Sequence, residues 1–264
     1  MLHHDLAGLG PLVLLLHSGG MSGRQWRRLA TRLSATHQVA SPDLLGSGGN
    51  PLWPDDAPFE YPLDVAAVGE LLDVLGPPAH VVGHSYGGLL ALTLARLRPD
   101  AVRSVTVYDP VAFGVLHATR DAEGLVDLER AAENPVFLDD ARGGSEAWLE
   151  AFVDYWNGRG SWQALPASAR ASFSRVGRKV YYEVRSLLAD RTAPQAYASI
   201  TAPTLLIGGE LSPVAARRVI AVLGKALPNA RTHAIAGAGH MGPISHAAEF
   251  NELVAAHVAA ADAG

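Results

Sequence analysis

Short apolar runs alternate with longer stretches of helical spacing along most of this chain. Leu12 to Leu16 is continuously apolar, bounded by Pro11 and by Ser18-Gly19-Gly20, and reads as a strand buried on both faces. Gln38 to Ser41, His80 to Gly83, Arg103 to Tyr108, Thr204 to Ile207 and Arg231 to Ile235 read as further strands. Ser22 to Leu33 predicts a helix capped by Ser22, with Trp26, Leu29 and Leu33 on one face. Leu63 to Leu75 predicts a second, stopped by Gly76-Pro77-Pro78, and Tyr86 to Leu97 and Val214 to Leu227 predict two more. Ala247 to Ala260 predicts a last helix whose Ala-rich end, from Ala255, is expected to fray. Strands alternating with helices predict an α/β fold, a mostly parallel sheet flanked by helices on both faces.

From Pro110 to Pro203 the strand signal disappears. Trp148, Ala151, Phe152, Tyr155 and Trp156 follow helical spacing, and Ser168 to Leu188 is helical as well. The stretch is too long for a loop and too apolar for a linker. It is expected to be a helical cap, residues 111–202, inserted into a core formed by residues 1–110 and 203–264.

Composition narrows the function. Of 264 residues, 48% are hydrophobic, enough for a sizeable core and too many for a disordered chain. The net charge of -5 argues against a nucleic-acid partner, which calls for a basic face. The chain has no cysteine, which excludes disulfides, a Cys-ligated zinc and a thiol nucleophile. Met1 to Gly10 lacks the basic start and apolar run of a signal peptide, and Leu12 to Leu16 is too short to span a bilayer. A cytoplasmic protein without a membrane partner is expected.

The sharpest chemical signal is Gly83-His84-Ser85-Tyr86-Gly87-Gly88, a G-x-S-x-G motif between a predicted strand and a predicted helix. A strand that turns abruptly into a helix strains the turning residue, and side chains two positions either side would collide, hence Gly83 and Gly87. Ser85 would be lifted above the sheet at a helix N-terminus. A serine needs a base. His240, in the loop Gly237-Ala238-Gly239-His240-Met241-Gly242-Pro243 after the last predicted strand, is placed to supply it. His84, His233, His246 and His257 compete less well by position. An oxyanion hole needs two N–H donors. Tyr86, directly after the serine, offers one, and Gly19 in His17-Ser18-Gly19-Gly20 is the choice for the other, with Ser18 and Gly20 as neighbours that could serve. No spacing of His, Asp or Glu points to a metal site.

Together, His17-Ser18-Gly19-Gly20, Asp43 with Gly46 and Gly48, the Ser85 motif and the His240 loop resemble the α/β-hydrolase superfamily. The resemblance is narrower to its lid-bearing bacterial esterases, C–C hydrolases and haloperoxidase-like members. It implies an eight-stranded, mostly parallel sheet, a serine–histidine–acid triad and a pocket beneath the cap. Three departures stand out. His17-Ser18 replaces the usual His-Gly. The segment before Leu12 leaves no room for the family's first strand, although Leu2 to Leu6 could add an antiparallel one. In the turn Gly209-Glu210-Leu211-Ser212-Pro213, Ser212 stands where the family usually places its acid. Two substitutes remain: Asp109, after the Arg103 to Tyr108 strand, where some members carry the acid, and Glu210 in the turn itself. Asp109 is favoured.

These residues imply acyl transfer to water, most simply on a small carboxylic ester with an apolar portion. Carbon–carbon cleavage of a diketone and a non-catalytic small-molecule sensor are the alternatives. Ser18, Trp148, Tyr155 and Trp156 are expected to contact substrate. No cofactor is implied, and nothing in the sequence fixes an oligomeric state.

Overall fold

A computed structural model describes residues 1–264. Seven strands form one sheet: β1 (His4–Ala7), β2 (Leu12–Leu16), β3 (Gln38–Pro42), β4 (Ala79–His84), β5 (Val102–Tyr108), β6 (Thr204–Gly209) and β7 (Ala230–Ile235). Their order is β1-β3-β2-β4-β5-β6-β7, with β1 antiparallel to β3 and every other pair parallel. The sheet thus has one strand fewer than the resemblance implies, and its edge is antiparallel, as the short segment ahead of β2 led us to expect.

The alternation of side chains explains why the strands read as apolar runs. Leu12, Leu14 and Leu16 pack into one hydrophobic core, while Val13 and Leu15 pack into a second core on the other face. Val81 and Val82 divide in the same way, as do Leu206 and Ile207.

In chain order the helices are α1 (Arg27–Leu33), α2 (Tyr61–Leu75), α3 (Tyr86–Leu97), α4 (Gly114–Thr119), α5 (Ala122–Ala132) and α6 (Glu146–Asn157). They continue with α7 (Ser161–Ala164), α8 (Ala167–Ala189), α9 (Pro194–Tyr197), α10 (Val214–Ala226), α11 (Gly242–Ser245) and α12 (Ala247–Ala263). The expected helix from Ser22 is shorter than its pattern. A 3₁₀ turn, Gly23–Trp26, comes first, and the Ser22 side chain makes no capping bond. The Gly23 N–H donates instead to Asp43 Oδ1 at 2.8 Å.

Helices α4 to α9 lie between β5 and β6. Their residues Val136, Phe137, Trp148, Leu149, Trp162, Val180 and Tyr181 form a hydrophobic cluster of their own, while Phe113, Trp156 and Leu187 join the core of the sheet. Polar ties fasten this segment to the sheet layers. Lys179 Nζ meets Asp64 Oδ2 at 2.8 Å, the Arg218 guanidinium pairs with Asp121, and the Tyr61 N–H donates to Ser186 Oγ at 3.1 Å. No helix is long and apolar enough to cross a membrane.

The end of α12 does not fray from Ala255. Asp262, in its last turn, accepts hydrogen bonds from His37 Nε2 at 2.9 Å, His80 Nε2 at 3.1 Å and the Arg103 guanidinium at 3.2 Å. Both imidazoles are buried, and their Nδ1 atoms face the hydroxyls of Thr36 and Ser104. Burial disfavours the Asp262 charge, but the bonds from His37 and His80 outweigh it and hold the carboxyl below its ordinary range. The tertiary bonds override the weak cohesion of an alanine-rich helix end. Substituting Asp262→Asn removes the charged acceptor and should destabilise the fold by about 1–3 kcal/mol, read as a lower midpoint in denaturant unfolding. An unchanged midpoint would show that the anchor contributes nothing.

Candidate active site

The turn from β4 into α3 places Ser85 at φ 54° and ψ -113°, a backbone that L residues rarely adopt. The surroundings enforce it. The Ser85 N–H donates to the Tyr108 carbonyl at 2.8 Å, and its own carbonyl accepts from Gly88 and Leu89. A Cβ on Gly83 would overlap the Gly87 carbonyl, and one on Gly87 would overlap the carbonyl of Leu16 at the end of β2. Both glycines are therefore fixed by close backbone approach.

Asp109, directly after β5, also has a positive φ, 42°. Its carboxylate is fully buried, and Oδ2 accepts from His240 Nδ1 at 3.1 Å and from Ser212 Oγ at 2.5 Å. Oδ1 has no partner. Burial pushes the Asp109 carboxyl up to about 7, against the pull of the Ser212 hydroxyl. Burial pushes the His240 imidazole down, to about 3. Both shifts express the cost of burying charge.

Glu210, the other candidate acid, is exposed, and its Oε2 accepts from the Gly237 N–H at 2.9 Å rather than from His240. It braces the loop that carries the histidine. Ser212, which stands where a family acid was expected, donates to Asp109.

A second set of bonds holds the loops around Ser85. The Ser18 N–H donates to Gln25 Oε1 at 3.0 Å, and Gln25 Nε2 donates to His84 Nδ1 at 2.9 Å. This leaves His84 Nε2–H to donate to the His240 carbonyl at 2.8 Å. Burial, with the nearby His240 ring as a smaller cause, pushes His84 down to about 3, which keeps it neutral in this role. The Tyr108 hydroxyl donates to the Gly239 carbonyl at 2.6 Å. The sequence assigns no role to Gln25 or Tyr108, sets His84 aside as a competing base and marks Ser212 only as a missing acid; their contacts join loops far apart in the chain, which no local motif records.

Ser85 opens into a narrow cavity that is partly open to solvent. Gly19 and Tyr86 border it at the base, and Phe113, Phe152, Tyr155, Trp156, Val184 and Leu187 wall it. The Gly19 N–H has no acceptor within the protein, and the Tyr86 N–H opens α3, where no intrahelical acceptor exists. The Trp156 indole stacks on the His240 imidazole with ring centres 3.9 Å apart. Ser85 Oγ makes no hydrogen bond to His240, whose side-chain bond is to Asp109.

Of the residues expected to contact substrate, Tyr155 and Trp156 line the cavity, whereas Trp148 and Ser18 do not. Trp148 is wholly buried within the inserted helices, its Nε1–H bonded to the Phe137 carbonyl at 3.0 Å and its ring among Phe137, Phe152 and Tyr181. Ser18 is buried, with its amide on Gln25 and its carbonyl facing His17 Nδ1. A wider and more polar groove runs between residues 20–29 and α8, but neither Ser85 nor His240 lines it. One set of donor atoms lies within metal-ligand range, His37, His80 and Asp262, all within 4.8 Å of one another. His80 stands at the amino end of β4, the end of the strand opposite Ser85. Both rings already bond to Asp262, with Arg103 beside it.

Comparison with known proteins agrees with this architecture. Residues 13–253 match the model of the alpha/beta hydrolase family. The pimeloyl-[acyl-carrier protein] methyl ester esterase of Chromobacterium violaceum is 30% identical over 261 residues, covering 96% of each chain. Lipase LipV of Mycobacterium tuberculosis is 40% identical over 143 residues, 54% of this chain and 51% of the lipase. Among solved structures, the enol-lactonase of Burkholderia xenovorans LB400 superposes with a TM-score of 0.75 at 21% identity, covering 98% of this chain and 96% of its own. A putative lipase of Acinetobacter baumannii AYE superposes with a TM-score of 0.77 at 20% identity, over 98% of this chain and 88% of its own, a likeness of fold alone. By sequence and by architecture, the chain belongs to the alpha/beta hydrolase family.

Proposed function

We propose that this hydrolase cleaves small carboxylic esters with an apolar portion, using Ser85 as nucleophile, His240 as general base and Asp109 as the acid that orients it. The observation that carries the reading is the Asp109–His240 contact at 3.1 Å, set at the same sheet edge as the strained Ser85. In this scheme His240 Nε2 takes the Ser85 hydroxyl proton while the oxygen attacks the ester carbonyl. The negative charge that develops is held by the Gly19 and Tyr86 amides, the first of which is free to donate. His240 then protonates the leaving alcohol, and the same base activates water against the acyl-enzyme. Helices between residues 111 and 202 act as the cap, and their apolar wall supports an apolar acyl or alcohol group. The relatives named as esterase and lipase support ester cleavage over carbon–carbon cleavage.

Three outcomes test the assignment. A fluorophosphonate probe should label the protein at Ser85, located by peptide mass spectrometry, and Ser85→Ala should abolish labelling; a folded protein that resists the probe would favour the sensor. Asp109→Asn should lower kcat by about four orders of magnitude, while Glu210→Gln should leave it within about twofold, since surface changes away from the reacting groups have small effects. The pH profile follows from Asp109. The proposed pair works as a charged carboxylate and a neutral imidazole; burial pushes the Asp109 carboxyl up to about 7 and the His240 imidazole down to about 3, so as the pH falls Asp109 gains a proton first. kcat/KM should therefore show an acid limb near 7. Activity that persists unchanged well below 7 would contradict this environment for the carboxyl.

A further inference from the structure

One charged group faces the cavity that the proposed mechanism does not use. Glu183, on α8, is 3% exposed and lines the cavity beside Ser85 and Gly19. Its Oε1 is bound by Lys179 Nζ, one turn earlier on the same helix. Its Oε2 has no hydrogen-bond partner and lies 2.8 Å from where a Cβ on Gly19 would sit. That atom therefore stands next to the proposed oxyanion donor, in a cavity whose other walls are almost wholly apolar.

The neighbours of Glu183 explain why its second oxygen is left over. Lys179 is buried over the rings of Phe59 and Tyr86 and is shared between two carboxylates, Asp64 and Glu183. Asp64 is fully served, with Oδ1 accepting from the Leu45 N–H at 2.9 Å and Oδ2 accepting from the Tyr86 hydroxyl and Lys179, each at 2.8 Å. Glu183 has only its share of the ammonium. Two carboxylates around one ammonium leave an excess of negative charge, and Oε2 of Glu183 is the carboxylate oxygen among them without a donor. Burial pushes the Glu183 carboxyl up to about 7, with Lys179 opposing, as expected of an acceptor short of donors. Two other polar side chains of the cavity wall are occupied: the Tyr155 hydroxyl donates to Asp127 and that of Tyr86 to Asp64.

We infer that Glu183 Oε2 is a specificity site for esters that carry a hydrogen-bond donor, such as a hydroxyl, within a few bonds of the scissile carbonyl, and that it excludes esters with a carboxylate at that place. The inference rests on the ester-hydrolase reading and deepens it. A donor on the acyl chain satisfies the unpaired oxygen when the ester carbonyl enters the oxyanion hole. A carboxylate there adds like charge in a site with little water to screen it. An unsubstituted chain leaves the oxygen unpaired. Glu183 touches substrate in this account but moves no bond of the reaction.

The test compares kcat/KM for matched p-nitrophenyl esters of butanoate, 3-hydroxybutanoate and succinate, the last bearing a free carboxylate, at pH 8. The wild type should favour the hydroxy ester over butanoate by about tenfold or more, and should disfavour the succinate half-ester by at least a similar factor. In Glu183→Gln, which keeps an acceptor for Lys179, the bias against succinate should shrink towards one. The readout is a ratio within each protein, so a general loss of activity cancels, and the wild-type ratios decide the matter should the variant not fold. Flat ratios in a wild type that turns over butanoate and is labelled at Ser85 would overturn the role of Glu183 alone. A wild type that neither takes the probe nor cleaves any of the three esters would overturn the hydrolase reading and this one with it.

Discussion

A serine held at φ 54° pays a conformational cost of about 1–3 kcal/mol and persists only where its surroundings leave it no alternative. Here they do so through backbone. The carbonyls of β2 and α3 crowd the two glycines of the turn, the Tyr108 carbonyl takes the Ser85 amide, and the first turn of α3 takes its carbonyl. The parallel sheet makes this possible, because β2, β4 and β5 end side by side and present their carboxyl ends together. Asp109 follows the last residue of β5 and is itself held at positive φ. Apart from Arg120, these two are the residues other than glycine with positive φ, and both stand where the chemistry is proposed.

Around that strain the protein assembles loops that share little sequence logic. His240 is held from two sides, by Asp109 at its Nδ1 and by His84 at its carbonyl. His84 in turn reaches the Ser18 amide through Gln25, which couples the histidine loop to the loop that carries Gly19. A shift of either loop would be felt by the other. The Trp156 indole, brought by α6, stacks on the imidazole and is one of the groups that bury it, and burial lowers its proton affinity.

What the sequence made legible, and what it hid, follows the range of each interaction. The elbow is local: strand, cramped turn and helix lie within one short stretch, so Ser85 and the need for Gly83 and Gly87 could be read directly. The choice of acid is not local. Asp109 and His240 are separated by 131 positions, and Glu210 sits nearer to His240 in the chain while bonding to Gly237. Ser212 looked like the loss of an acid, yet its hydroxyl donates to Asp109. Trp148 and Trp156 shared one apolar stripe on α6, but eight residues of helix rise about 12 Å. One ring ends in the core of the inserted helices and the other on the imidazole. The alanine-rich end of α12 read as loose because the bonds that fix Asp262 come from His37, His80 and Arg103, none of them near it in sequence.

The central claim is that the strained serine, the Asp109–His240 pair and the free amide of Gly19 form a single reaction centre. A crystal structure of the fluorophosphonate adduct tests it most directly. The account predicts a phosphorus atom bonded to Ser85 Oγ, with one phosphoryl oxygen about 2.7–3.1 Å from both the Gly19 and Tyr86 nitrogens and His240 still on Asp109. A phosphoryl oxygen turned away from those amides, or an imidazole that remains out of reach of Ser85 in the adduct, would contradict it.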